Sequence, residues 1–307
     1  MRDLLIIGSG PAGLSASLYA KRANLDVLLV EKEYLGTGQI AESRQVDNYI
    51  GLVGKSGYEL GEAFRQDAEK LGVEFYEAEA IKLTRKHDVW ITEFDNGETI
   101  ESSAVIYAAG ASHKKLGVSG EEEFSGNGVS FCALCDGAFY QDKTVAVIGG
   151  GDTALDNAIY LSDIAQKVYL IHRRDEFRGS EKHVEIVKAQ ANIETVLSAN
   201  LTEIVGDGQV EAVILDNGDR IAVDGVFIAV GMNPQSELLN DIVAVDDYGY
   251  VVADETGETK ASGLFVAGDV RRKKLHQVVT AVADGANAAV SAVEYLKNKA
   301  TTDSAEN

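Results

Sequence analysis

Cys132 and Cys135 are the two cysteines of the chain, and they stand together as Cys132-Ala133-Leu134-Cys135. A secreted scaffold spreads several cysteines along its length, whereas an isolated Cys-x-x-Cys pair is redox-active or metal-binding. A structural zinc ion takes four ligands. Two of them would have to come from five scattered histidines or from carboxylates, with no second paired motif. The residues therefore favour thiol–disulfide chemistry.

The second chemistry-bearing pattern is a glycine loop. Leu4-Leu5-Ile6-Ile7 reads as a buried strand and runs straight into Gly8-Ser9-Gly10-Pro11-Ala12-Gly13. A helix is predicted from Pro11 to about Ala23, then a strand over Val27–Val30 closed by Glu31 and followed by Lys32. Gly8 permits a tight turn, Gly10 lets the backbone approach a pyrophosphate, and Gly13 allows close helix–strand packing. The free N–H groups and positive end of the helix then hold the phosphates. Glu31 lies 18 residues beyond Gly13, where an acid accepts ribose hydroxyls.

The pattern returns in mid-chain. Thr144–Ile148 leads into Gly149-Gly150-Gly151-Asp152-Thr153-Ala154, then a helix and the strand Val168–Ile171. His172 stands 18 residues beyond Ala154, the position equivalent to Glu31. An acid at the strand end suits a free 2′-hydroxyl and repels a 2′-phosphate. His172-Arg173-Arg174, with Arg178 beyond, offers positive charge instead, and guanidinium groups bind phosphate bidentately. The first loop thus fits FAD or NAD, and the second fits NADPH. Two dinucleotide sites and one Cys-x-x-Cys imply an electron path from nicotinamide through flavin to a disulfide.

The elements that must position these residues are apolar strands alternating with helices, an α/β pattern with parallel sheets. The 307 residues suffice for about two domains. At 45% hydrophobic and 25% charged, the chain can bury real cores. It has no run of about 18 apolar residues, as a membrane helix needs. Nor does its N-terminus resemble a secretory signal, so the cytoplasm is the expected compartment. A net charge of −21 argues against nucleic acid and speaks mainly to solubility. The polar end, Thr301 to Asn307, is expected to fray.

Together these residues resemble the low-molecular-weight bacterial thioredoxin reductase family over essentially the whole chain. The motifs run in order: Gly8 to Gly13, Gly38-Gln39, Asp47-Asn48-Tyr49, Cys132 to Gly137, Gly149 to Ala154, His172 to Arg178, and Gly268-Asp269-Val270 with Gln277. The resemblance implies two Rossmann-like three-layer dinucleotide-binding domains, the NADPH domain inserted in the FAD domain. Residues 1–114 and 245–307 would form the FAD domain, and residues 115–244 the NADPH domain with the Cys-x-x-Cys.

It also implies roles. Gly38, Gln39, Asn48, Gly110, Asp269, Val270, Gln277 and Val278 would join the first loop around FAD. Cys135 would be the thiol nearest the flavin, Cys132 the one that attacks a partner disulfide, and Asp136 the acid that protonates a leaving thiolate. The partner would be thioredoxin or a similar small dithiol protein, and the working form a homodimer. Rotation of the inserted domain about His113–Gly117 and Leu239–Ala244 would alternate the flavin's access to nicotinamide and disulfide. The chain departs from the family pattern at Thr37, Ile50, Ala109 and His276, where relatives often carry glycine, proline, threonine and arginine. A related flavin disulfide oxidoreductase fed by ferredoxin or a second flavin, and a redox-sensing flavoprotein, are the alternatives.

Overall fold

The computed structural model describes residues 1–33, 37–43 and 45–306. Two compact units divide the chain, residues 1–112 with 233–307 and residues 113–232.

The first unit opens with β1 (Arg2–Ile7), α1 (Pro11–Arg22) and β2 (Val27–Glu31). A 3-10 turn over Gly38–Glu42 precedes α2 (Gly57–Lys70), followed by β3 (Glu74–Glu77), β4 (Ala80–Lys86), β5 (Val89–Phe94) and β6 (Thr99–Tyr107). β1 runs parallel to β2 on one side and to β6 on the other, and β3 continues beyond β2. β5 and β4 extend the sheet antiparallel, with β5 against the first half of β6.

The strands β1 and β2 are apolar at successive positions because both faces of the sheet are covered. Leu4, Ile6, Val27 and Leu29 pack with Leu14, Ala16 and Ala20 of α1 on one face. Leu5, Ile7, Leu28 and Val30 alternate onto the other face and meet Trp90, Phe94 and Val105.

After β7 (Ala111–His113), the second unit contains β8 (Val129–Ser130), α3 (Ala133–Asp136), β9 (Thr144–Ile148), α4 (Asp152–Ser162), β10 (Lys167–His172), α5 (Glu181–Ala189) and β11 (Ile193–Leu197). A meander of β12 (Leu201–Gly206), β13 (Val210–Leu215) and β14 (Arg220–Ala222) leads to β15 (Gly225–Ile228). The parallel sheet has the order β11-β10-β9-β15-β8, and the meander is a separate antiparallel sheet. Leu155, Ala158, Leu161 and Val187 of the helices cover one face of the parallel sheet. Ile204, Val213 and Leu215 of the meander share a core with Ile148, Ile171 and Val226 on the other. The unit is therefore three-layered.

The return strand β16 (Met232–Pro234) pairs with β7, so the two chain crossings form one short ribbon. β17 (Leu264–Val266) then adds in parallel to the second half of β6, and α6 (Val278–Glu306) packs along α1. A Cβ on Gly285 would fall 2.0 Å from the Ala12 carbonyl oxygen, so the two helices meet backbone to backbone.

The structure departs from the sequence expectations at two points. The second crossing lies at residues 232–233, well before the expected boundary at 244–245. Leu239 is fully buried and Val243 nearly so, both among Leu5, Val30, Trp90 and Val266 of the first unit. The segment Leu239–Ala244 is thus core rather than connection. The expected fraying at Thr301 is replaced by helix through Glu306, with Thr301 Oγ1 donating to the Lys297 carbonyl at 3.0 Å. Asn307 lies outside the described residues.

Trp90 is the sole tryptophan and is buried in the same core as Leu239, so its fluorescence reports the first unit. Leu239→Ala is expected to cost that unit about 2–5 kcal/mol in denaturant unfolding followed at Trp90. An unchanged midpoint would remove Leu239 from this core.

Candidate functional site

In the first unit the turn after β1 has the geometry that three glycines allow. Gly8 sits at φ +107°, and a Cβ there would lie 2.4 Å from the Ala108 carbonyl oxygen. A Cβ on Gly13 would be 1.8 Å from the Gly8 carbonyl oxygen, so α1 can start against the strand end only with glycine there. Gly10 is different: its Cβ direction meets nothing nearer than 3.9 Å. No side chain caps α1, and Pro11 occupies its first position, where a missing N–H costs nothing.

Other parts of the unit converge on this turn. Gly38, at φ +75°, brings its backbone against Gly10, and a Cβ on it would lie 3.3 Å from the Gly10 Cα. Gly268 opens the 3-10 turn Gly268–Val270, which holds Asp269 and Val270, and packs on Ala12. Asn48 Nδ2 donates to Gln277 Oε1 at 2.8 Å, joining two predicted residues 229 positions apart, with Val278 opening α6 directly after. Gln39 lies in the 3-10 turn that Gly38 begins. Gly110 adopts φ +71°, and its carbonyl oxygen accepts the Gln235 N–H at the chain crossing.

Glu31 ends β2 and is buried, and Arg65 Nη1 donates to its Oε2 at 2.6 Å. A capping box between Ser56 and Glu59 fixes the start of α2, and Arg65 follows about two turns later. The Arg65 guanidinium also lies 4.0 Å over the Phe75 ring and donates to Glu69. Lys32, next to Glu31, pairs with Glu79 on the surface at 2.9 Å.

A second buried charge cluster surrounds Asp269. Arg271 Nη2 and Lys273 Nζ reach Asp284 of α6 at 2.7 and 3.1 Å, and the Gly268 N–H donates to the same carboxylate. Lys273 Nζ is also 3.0 Å from Asp269 Oδ1, yet that oxygen is buried without hydrogen-bond geometry to any partner. Among the described residues, the buried Thr37 Oγ1 and His276 Nε2 likewise have no hydrogen-bond partner. Burial pushes the His276 imidazole below its ordinary range, against the opposing pull of Asp269.

The loop of the second unit repeats the logic with one change. Gly149 is at φ +152° with its Cβ direction blocked at 2.3 Å by the Ala229 carbonyl oxygen, whereas Gly151 is open. Thr153 and the buried Ala154 follow Asp152 in the first turn of α4. Gly150 lies under the His172 ring, which would meet any Cβ at 2.4 Å. His172 ends β10, is buried, stacks on Phe177 and leaves Nε2 without a partner. Its pKa is driven down first by burial, then by Arg178, Arg174 and Arg173. The three predicted arginines therefore gather around one strand end, exposed to solvent. The Arg178 N–H donates to the Gly150 carbonyl oxygen at 2.7 Å, tying their segment to the glycine loop.

Cys132 and Cys135 are disulfide-bonded with Cα atoms 5.3 Å apart. Cys132 caps α3, and the Cys135 N–H donates to Cys132 Sγ at 3.1 Å. Ser130, at the end of β8, serves both partners: its hydroxyl donates to Asp136 Oδ2 at 2.6 Å and accepts the Cys132 N–H at 3.1 Å. Burial raises the Asp136 pKa, and the Ser130 hydrogen bond opposes the shift. An acid that keeps its proton to higher pH thus stands beside the bonded pair.

The family model for pyridine nucleotide-disulphide oxidoreductases matches residues 2–285. The chain belongs to that family. Its relatives include the thioredoxin reductase of Listeria monocytogenes, 39% identical, with 96% of this chain and 94% of the relative covered. The thioredoxin reductase of Bacillus subtilis is 37% identical, with 96% and 95% covered. Among solved structures, the thioredoxin reductase of Streptococcus pyogenes superposes with a TM-score of 0.92 at 38% identity, covering 97% of this chain and 99% of that one. The resemblance carried by the motifs extends over 96–97% of the chain.

Sequence reasoning missed Arg65, Ser130, Lys273 and Asp284. The capping box of α2 is a local signal, but nothing local pairs position 65 with position 31. Ser130 lies two residues before Cys132 in a strand, with no spacing rule that flags it.

The raised pKa of Asp136 sets a sign. Stability from this group is fully present below the unfolded carboxylate range and lost as pH rises through the native value. Ser130→Ala removes the opposing bond, so the Asp136 titration should move to still higher pH. Carboxyl 13C NMR, with Asp136→Asn to assign the signal, measures it, and a downward move would contradict this account.

Proposed function

We propose that this protein is an NADPH-dependent thioredoxin reductase that passes electrons through FAD to the Cys132–Cys135 disulfide and on to a small dithiol protein. The observation that carries the reading is the bonded, partly exposed pair with a protonatable Asp136 beside it.

The residues of both loops fit the two cofactors. Around the first, Gly10 is open to a pyrophosphate, and Asp269 Oδ1 and Thr37 Oγ1 are buried polar atoms without hydrogen-bond partners among the described residues. Gly8, Gly10, Pro11, Ala12, Gly13, Gly38, Gln39, Asn48, Gly110, Asp269, Val270, Gln277 and Val278 would hold FAD, with Glu31 at the ribose. Arg65 holds Glu31 Oε2 and so fixes the carboxylate for a ribose hydroxyl. Around the second loop, Gly151 is open, and Arg173, Arg174 and Arg178 suit the 2′-phosphate of NADPH. When bound, FAD supplies the two-electron step between nicotinamide and disulfide.

The chain's own residues then manage sulfur and proton. In the reduced pair, the Cys135 N–H that points at Cys132 Sγ favours a thiolate at Cys132. That thiolate attacks one sulfur of the partner's disulfide, forming a mixed disulfide and releasing a partner thiolate. Cys135 then displaces the second partner sulfur, re-forming the Cys132–Cys135 bond. Asp136 delivers a proton to a departing thiolate, which the raised pKa permits nearer neutral pH than an ordinary carboxyl would.

Among the described residues, no helix is long and apolar enough to cross a membrane. A cytosolic homodimer is the working form this reading adopts. Family resemblance supports the dimer, and the isolated Cys-x-x-Cys supports the reducing compartment.

Anaerobic titration tests the function. NADPH should bleach the bound flavin faster than NADH, and oxidised thioredoxin should restore the colour. Failure of both steps would overturn the reading. Cys135→Ser should retain flavin yet lose thioredoxin reduction by at least about a hundredfold, measured as thiol release, since covalent exchange needs both sulfurs.

A further inference from the structure

Asp152 is the first residue of α4, directly after the open Gly151, where the phosphates of a bound dinucleotide meet the helix start. Its carboxylate is engaged by the start of α5. Its Oδ1 accepts the Ser180 N–H at 2.7 Å, and His183 Nδ1 of α5 stands 3.3 Å from the same oxygen. The other ring nitrogen of His183 lies 3.4 Å from Asp156 Oδ1, one turn further along α4. From α5 the ring therefore bridges two acids of α4, Asp152 and Asp156.

The position of this contact matters because of what precedes it in the chain. Arg173, Arg174 and Arg178 occupy the segment between β10 and α5. β10 fixes its start, and the Ser198 N–H donates to the Arg174 carbonyl oxygen at 2.9 Å. Its far end rests on α4: a Cβ on Gly179 would lie 3.1 Å from both the N and Oδ1 of Asp152, and Ser180 caps α5 by accepting the His183 N–H. His183 thus adds a polar fastening of α5 to α4 beside the apolar packing of Val184 and Val187 on Leu155.

The geometry points to His183 as a positioning residue for the 2′-phosphate of NADPH. It clamps α5 to α4 and so sets the arginine segment beside the Gly149–Ala154 loop. The inference rests on reading this unit as the NADPH site.

Calorimetric titration of the flavin-loaded protein with adenosine 2′,5′-bisphosphate and with 5′-AMP tests it without turnover. Wild type should bind the bisphosphate more tightly. His183→Leu should weaken the bisphosphate about three- to fivefold, the size that partly exposed ion pairs carry, and leave 5′-AMP unchanged. His183→Arg, whose guanidinium can donate to both carboxylates, should retain the wild-type preference. Should His183→Leu fail to fold, Asp156→Asn removes one anchor and should weaken the bisphosphate selectively. Unchanged bisphosphate affinity in the variant tested, or equal weakening of both ligands, overturns the role of His183 and leaves the NADPH reading intact. A wild type that does not prefer the bisphosphate overturns the NADPH reading itself, and the inference with it.

Discussion

Backbone pressed against backbone at the strand ends governs both nucleotide loops. At Gly13 a single added methyl would overlap the Gly8 carbonyl oxygen at 1.8 Å, and at Gly149 the Ala229 carbonyl oxygen at 2.3 Å. Main-chain atoms this close leave the first N–H groups of α1 and α4 without side-chain caps, facing the open Gly10 and Gly151. The rest of the first site is built onto this point. Gly38 approaches Gly10, while Gly268 and Gly285 approach Ala12, so four remote segments converge through glycine.

Electrostatics then distinguishes two loops that share one backbone plan. The strand-end residue is a buried acid in one unit and a buried imidazole in the other. Glu31 is held by Arg65, and taking two charges out of water is costly unless they are paired and hydrogen-bonded. Burial and three neighbouring arginines push His172 toward its uncharged form, and the exposed guanidiniums offer the positive charge that suits a phosphate. At the cysteines the balance is finer. One hydroxyl, that of Ser130, ties the backbone of Cys132 to the carboxyl group of Asp136, coupling the sulfur and the acid.

Much of this was legible because the rules involved are local. The glycine spacing, the apolar strands before it, the 18-residue interval to Glu31 and His172, and the adjacency of Cys132 and Cys135 all operate within one supersecondary unit. Local rules also misplaced one feature. The segment Leu239–Ala244 reads as a connection, but Leu239 and Val243 fill the core of the first unit.

The sequence by itself determined the α/β plan, the two glycine loops, the contrast between Glu31 and His172, and the thiol chemistry, because each depends on residues close together in the chain. Only the tertiary structure decided which side chains complete the sites: Arg65 on Glu31, Gln277 on Asn48, Asp284 beneath Lys273, and His183 between Asp152 and Asp156. Those pairings follow from sheet order and helix packing. A salt bridge or a shared hydroxyl is an interaction at a distance of ångströms, and sequence separation carries no information about it until the chain has folded.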